Sequence, residues 1–165
     1  MRPFAAIVMA ALLGAAASTS RAKQDRTADL RSRFEHETNP VQRAKLMPDL
    51  GEAEFRQIRA EVDQDHVSAA LNLLREYKDQ VDDCVRRLAS TNVNPERHPA
   101  GFKQLQIAVR ESLGRIDALL PQVTGEEQAP FLEIRKRLDE VNRRLIEQLF
   151  PGRTSPPPKP DKAVQ

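Results

Sequence analysis

Asp65–Leu88, DHVSAALNLLREYKDQVDDCVRRL, decides the fold. Its apolar residues fall at Val67, Ala70, Leu74, Tyr77, Val81, Cys84 and Leu88, in steps that alternate between three and four. That spacing draws one stripe along an α-helix for about six turns. Leu71 and Val85 widen the stripe. Arg75, Glu76, Lys78, Asp79, Asp82, Asp83, Arg86 and Arg87 lie off it. At ~1.5 Å per residue the helix is roughly 33–36 Å long. A long helix with one apolar face needs partners of similar length.

Downstream the chain supplies two. After a polar loop at Ser90–His98, with a turn started by Asn94-Pro95, the stretch Pro99–Leu120 reads as helix. Phe102, Leu105, Val109, Leu113, Ile116 and Leu120 form its face. Gly114 inside it costs ~1 kcal/mol relative to Ala and is expected to admit another backbone. Pro121-Gln122-Val123 ends this helix. Thr124 and Glu127 then have the spacing of a capping box, and Pro130 leaves the next helix start open between Gly125 and Pro130. Phe131, Ile134, Leu138, Val141, Leu145 and Leu149 repeat the three-four step as far as Phe150, where Pro151-Gly152 stops the helix.

Upstream, Asn39-Pro40 is a helix-start signal. Val41, Ala44, Phe55, Ile58 and Val62 share one face, with Pro48 and Gly51 in the two missing slots. The spacing predicts one helix, Pro40–Val62, kinked near Pro48, with two shorter helices as the alternative. Asp63-Gln64-Asp65 turns the chain into the stretch quoted above. Thr27–Glu37 reads as a short helix capped by Thr27 and docked through Leu30 and Phe34, with Lys23–Arg26 loose before it.

The fold class is all-α. The expected architecture is an antiparallel bundle of three long helices, His66–Ser90, Pro99–Leu120 and about Gly125–Phe150. The kinked helix is the fourth, and a short N-terminal helix is the fifth. Short loops make sequential helices antiparallel neighbours, at crossing angles near +20°.

The ends of the chain speak to location. Met1-Arg2-Pro3 and the apolar run Phe4–Ala17 have the form of a secretory signal peptide, residues 1–22, cut before Ser18 or Lys23. The run is shorter than the ~20 residues of a membrane span, so no stable span is expected after cleavage. Residues 23–150 are the bundle domain. Residues 151–165 are Pro-rich and read as a disordered tail, in which Pro157–Pro160 matches PxxP. The chain holds 26 Lys+Arg and 24 Asp+Glu. The signal peptide takes Arg2 and Arg21 with it and leaves equal numbers of each sign, so there is no electrostatic case for nucleic acid. The lone Cys84 sits on the apolar stripe as a small buried hydrophobe. The expected location is periplasmic or extracellular.

No residue set carries recognisable chemistry. His36 lies between Glu35 and Glu37, His66 follows Asp63 and Asp65, and His98 is close to Glu96. His66 and His98 flank opposite ends of the central helix, roughly 33 Å apart, too far to share a metal. There is no HExxH, no glycine-rich phosphate loop and no GxSxG. No catalytic, cofactor-binding or metal-ligating residue is assigned, and no cofactor is expected.

Two stretches resemble known families. Glu61–Tyr77, with Ala69-Ala70-Leu71 and Tyr77 after an acidic turn, resembles the turn and second helix of one tetratricopeptide hairpin, without a following 34-residue repeat. Val123-Thr124 with Gln128 resembles the Leu-Thr-x-x-Gln signature of periplasmic helical chaperones related to Spy and CpxP, displaced by one residue, with Glu127 in the glutamine's place. The whole is similar to small exported bacterial helical proteins of unassigned function. The expectation is an exported, non-enzymatic bundle acting through contacts with an unidentified protein partner in the cell envelope. The alternative is a periplasmic chaperone or stress adaptor of the Spy/CpxP type; an enzyme with no recognisable site is third.

Overall fold

The computed structural model describes residues 15–152, with side chains from Arg26 onward. Among these residues all regular structure is helical. Five α-helices occur in order: α1 (Ala15–His36), α2 (Pro40–Asp63), α3 (Val67–Ala89), α4 (Phe102–Leu119) and α5 (Gln128–Leu149). Short 3-10 turns at Leu120–Gln122 and Gly125–Glu127 link the last two. The apolar signal run lies mostly outside the described residues, as does the tail from residue 153.

The central stripe is buried as read: Val67, Ala70, Leu74, Tyr77, Val81, Cys84 and Leu88 are the buried residues of α3. The stripe of α5 is equally faithful, from Phe131 through Leu149. Phe150 lies just past the helix and keeps 45% of its surface exposed. On α4, Leu119 is buried and Leu120 only half-buried, because the chain tightens into a 3-10 turn there. Gly114 is exposed and a Cβ on it would meet nothing within 4 Å, so it admits no neighbouring backbone.

The helix starts and ends differ from the reading where caps decide them. Helix α1 runs straight through Lys23–Arg26 and Thr27, since nothing from Ala15 to Arg26 is Gly or Pro and Ala, Arg, Lys and Gln are good helix formers. Thr27 is therefore a buried residue inside a helix, not its cap. Helix α2 is one unbroken element with Pro48 inside it. Asn39 caps it as expected, its Oδ1 accepting from the amides of Val41 and Gln42 at 3.0 and 3.1 Å. Helix α4 starts at Phe102, three residues late, because Gly101 takes a left-handed φ of +84° that L side chains avoid. A Cβ there would stand 3.2 Å from the Val41 backbone and 3.1 Å from Leu88. The Gly101 amide donates to Gln104 Oε1 at 2.8 Å. Thr124 makes no side-chain cap, so the capping box does not form; Gln128 instead donates to the Leu120 carbonyl at 3.0 Å.

The turn into α3 is a Schellman motif. The His66 amide donates to the Glu61 carbonyl at 2.8 Å and the Asp65 amide to that of Val62 at 3.0 Å. Asp65 holds the left-handed position at φ 62°, which a short polar side chain tolerates. The Asn94-Pro95 turn also forms, with the His98 amide on the Asn94 carbonyl at 3.0 Å.

The packing order differs from sequential neighbours. Helix α2 packs on α3 and on α4; α5 packs on α4 and α3. Helices α3 and α4 meet directly only sparsely, so they stand across the bundle from each other. The early residue Val41 lies by Gly101, and late Phe55 lies by Arg115, so α2 and α4 run parallel. Gln106 reaches Asn142 and Arg135 reaches Asp117, so α4 and α5 run antiparallel. Two antiparallel hairpins, α2–α3 and α4–α5, thus lie side by side, and α1 packs along α2.

Candidate contact groove

Helix α2 touches α1, α3 and α4, so its burial extends beyond one stripe. Arg43, Met47, Leu50, Ala53 and Glu54 are buried beside the residues of the expected face. Two of these are charged, and each fixes α1. Glu54 is 1% exposed. Its Oε1 accepts from Arg31 Nη2 of α1 at 2.8 Å and from Gln80 Nε2 of α3 at 3.0 Å. Glu54 Oε2 and Gln80 Oε1 are buried without a hydrogen-bond partner. Burial pushes the Glu54 carboxyl above the ordinary glutamate range, and the bonds from Gln80 and Arg31 offset only part of this.

Arg43 closes the other end of α1. Its guanidinium lies 3.9 Å from the centre of the Phe34 ring. Nη1 donates to the carbonyls of Phe34 and Glu35 in the last turn of α1 and of Glu37 just past it. Nε stands 3.1 Å from Asp83 Oδ2, within ion-pair reach but not aligned as a hydrogen bond. Asp83 also accepts from Arg86 at 2.6 Å and Arg87 at 2.7 Å. Burial acts to raise the Asp83 carboxyl, but the three arginines together hold it below the usual range.

Tyr77 spans the bundle. Fully buried, it donates to the Ala108 carbonyl of α4 at 3.3 Å and meets Phe55 edge to face at 5.1 Å. Burial raises its phenol pKa and keeps it neutral. Cys84 is fully buried and free, its thiol pushed up to about 12 by burial. Glu54, Arg43 and Tyr77 are thus taken up in joining helices.

The histidines stand apart. His36 Nδ1 lies 2.7 Å from the Ser32 carbonyl, and His66 Nδ1 lies 3.0 Å from Glu61 Oε2 across the Schellman turn. His98 is exposed in the loop at the far end of α3 from His66. Among the described residues no three metal-ligating side chains cluster, and no helix is long and apolar enough to cross a membrane.

The surface has relief where α2 passes α4. Phe55 and Leu119 form an apolar floor; Glu52, Arg56, Arg59, Arg115 and Ala118 form the walls of a groove of about 180 Å³. Arg115 lies 5.8 Å from the centre of the Phe55 ring. Sequence reasoning missed this groove because it depends on α2 and α4 being neighbours. The spacing that could have shown it is Phe55, Arg56 and Arg59 on one helical turn.

No protein-family model matches the chain, and no curated protein or solved structure matches it significantly.

Proposed function

We propose that this chain is an exported, non-enzymatic helical bundle that works through protein–protein contacts in the cell envelope. The groove between α2 and α4 supports this reading most directly. It is open along two helices, and its volume of about 180 Å³ is below the ~300–1,000 Å³ usual for small-molecule pockets. Such relief suits one or two side chains of another protein. The basic head and apolar run at residues 1–17 support export. A chaperone of the Spy/CpxP type would require a broad apolar surface. The large apolar side chains exposed among the described residues are Val93, Leu132 and Phe150, which favours the contact protein over the chaperone.

The test is affinity capture of the tagged chain from the envelope fraction of its host. One stoichiometric partner is the expected result. Suppression of aggregation of a denatured client, with no stoichiometric partner, would replace this reading with the chaperone. The purified extracytoplasmic form is expected to begin at Lys23 or Ser18. Terminal sequencing that finds Met1 on cytoplasmic protein would remove the export half of the proposal.

A further inference from the structure

The groove has a sign as well as a shape. Arg56 is matched by Glu52 at 3.2 Å and Arg115 by Glu111 at 3.3 Å. Arg59 is exposed on the same rim and has no ionic partner among the described residues. Three guanidiniums therefore stand around an apolar floor with one of them uncompensated. Surface ion pairs such as those of Arg56 and Arg115 contribute little and exchange readily for a better partner. Guanidinium groups bind carboxylates through paired N–H donors, and exposed Ala118, with the 4% of Phe55 and 3% of Leu119 that reach the groove, gives its base an apolar patch for one side chain.

We propose that the groove between α2 and α4 binds an acidic segment of a protein partner, in which an aromatic or aliphatic side chain is flanked by carboxylates. The apolar side chain rests on Ala118 and the exposed edges of Phe55 and Leu119, and the carboxylates meet Arg59 and the arginines beside it. This deepens the contact-protein reading and rests on it. A basic or purely apolar segment would leave Arg59 unmatched or desolvated, which disfavours both.

The experiment is a titration of the purified, isotope-labelled chain with two acetylated peptides, followed by backbone NMR shifts. One peptide is Asp-Glu-Phe-Leu-Asp-Glu; the other is Lys-Lys-Phe-Leu-Lys-Lys. The acidic peptide is expected to shift the amide signals of Arg56, Arg59 and Ala118. Its affinity should fall at least about tenfold on Arg59→Glu, and again on raising salt from about 0.05 M to about 0.5 M. Ala118→Trp, at an exposed position, should block the floor and weaken binding similarly while leaving the helical spectrum unchanged. Equal binding of the basic peptide, shifts confined to other helices, absence of shifts, or an Arg59→Glu chain that binds like wild type would each overturn the proposal. Two results separate it from the broader reading. A captured partner retained equally by Arg59→Glu sinks the groove and leaves the contact protein standing. Peptide binding in the groove with no partner captured does the reverse.

Discussion

Gly51 of α2 leaves room for the ring of Tyr77 on α3. A Cβ built on Gly51 would sit 3.1 Å from Tyr77 Cε2 and 3.3 Å from its hydroxyl oxygen. The ring has little freedom to give way, since it packs edge-on against Phe55 and its hydroxyl is bonded to Ala108. Gly51 is therefore where α2 makes room for an aromatic core residue of α3.

Substituting Ala at the two mid-helix glycines among the described residues, Gly51 and Gly114, should have opposite signs. Gly51→Ala gains ~1 kcal/mol in helix propensity but overpacks a rigid site, which typically costs ~1–3 kcal/mol. The expected net effect is a loss of about 1 kcal/mol. Gly114→Ala meets nothing and should gain roughly 0.5–1 kcal/mol. Urea denaturation of both variants decides it. A Gly51→Ala protein more stable than wild type would show that Tyr77 moves freely.

Leu74 is fully buried at the middle of the α3 stripe. Leu74→Ala should cost roughly 2–5 kcal/mol, a large share of a domain's ~5–15 kcal/mol. Thermal melting at wild-type temperature would contradict the burial.

Glu54 links stability to pH through its raised pKa. The folded state holds this proton more tightly than the unfolded chain does. Its contribution is thus fully present below the ordinary glutamate pKa of ~4.3 and is lost as pH rises through the folded value. Glu54→Gln does not titrate. Relative to that variant, wild type should lose stability from about pH 4 upward and then level off. Denaturation midpoints of both proteins from about pH 4 to pH 8 test this; a difference that grows in wild type's favour as pH rises would mean that Arg31 outweighs burial.

Cys84 should be inert in the folded protein. Only thiolates react with disulfide reagents, and a buried thiol pushed up to about 12 is protonated at neutral pH. Labelling should proceed no faster than unfolding and become rapid in denaturant. Fast stoichiometric labelling under native conditions would place Cys84 at an accessible surface.

The stripes of α3 and α5 were legible because each of those helices buries one face, and a three-four spacing reports one face. Helix α2 was only half legible. It serves three neighbours, so Met47, Leu50 and Ala53 fall outside any single stripe, and Arg43 and Glu54 read as surface charges. Their burial depends on α1, whose docking two apolar side chains, Leu30 and Phe34, only hinted at. The groove was illegible for a related reason: no local pattern tells which non-sequential helices meet. Side-chain spacing fails at two helix starts, where backbone geometry overrides it: α4 begins after Gly101 rather than at Pro99, and Thr124 makes no side-chain cap.

The link from Ser90 to Gly101 joins helices that stand across the bundle from each other, whereas Gln64–His66 joins immediate neighbours. Its length is therefore topological information. A connection too short to cross the bundle's end would hold α4 against α3 and give it the surface that α5 now covers. Arg115 would then lie away from Phe55, and the arginine-walled groove would have no second wall. The polar segment STNVNPERH thus bears on which helix faces meet, although none of its residues is buried in the core.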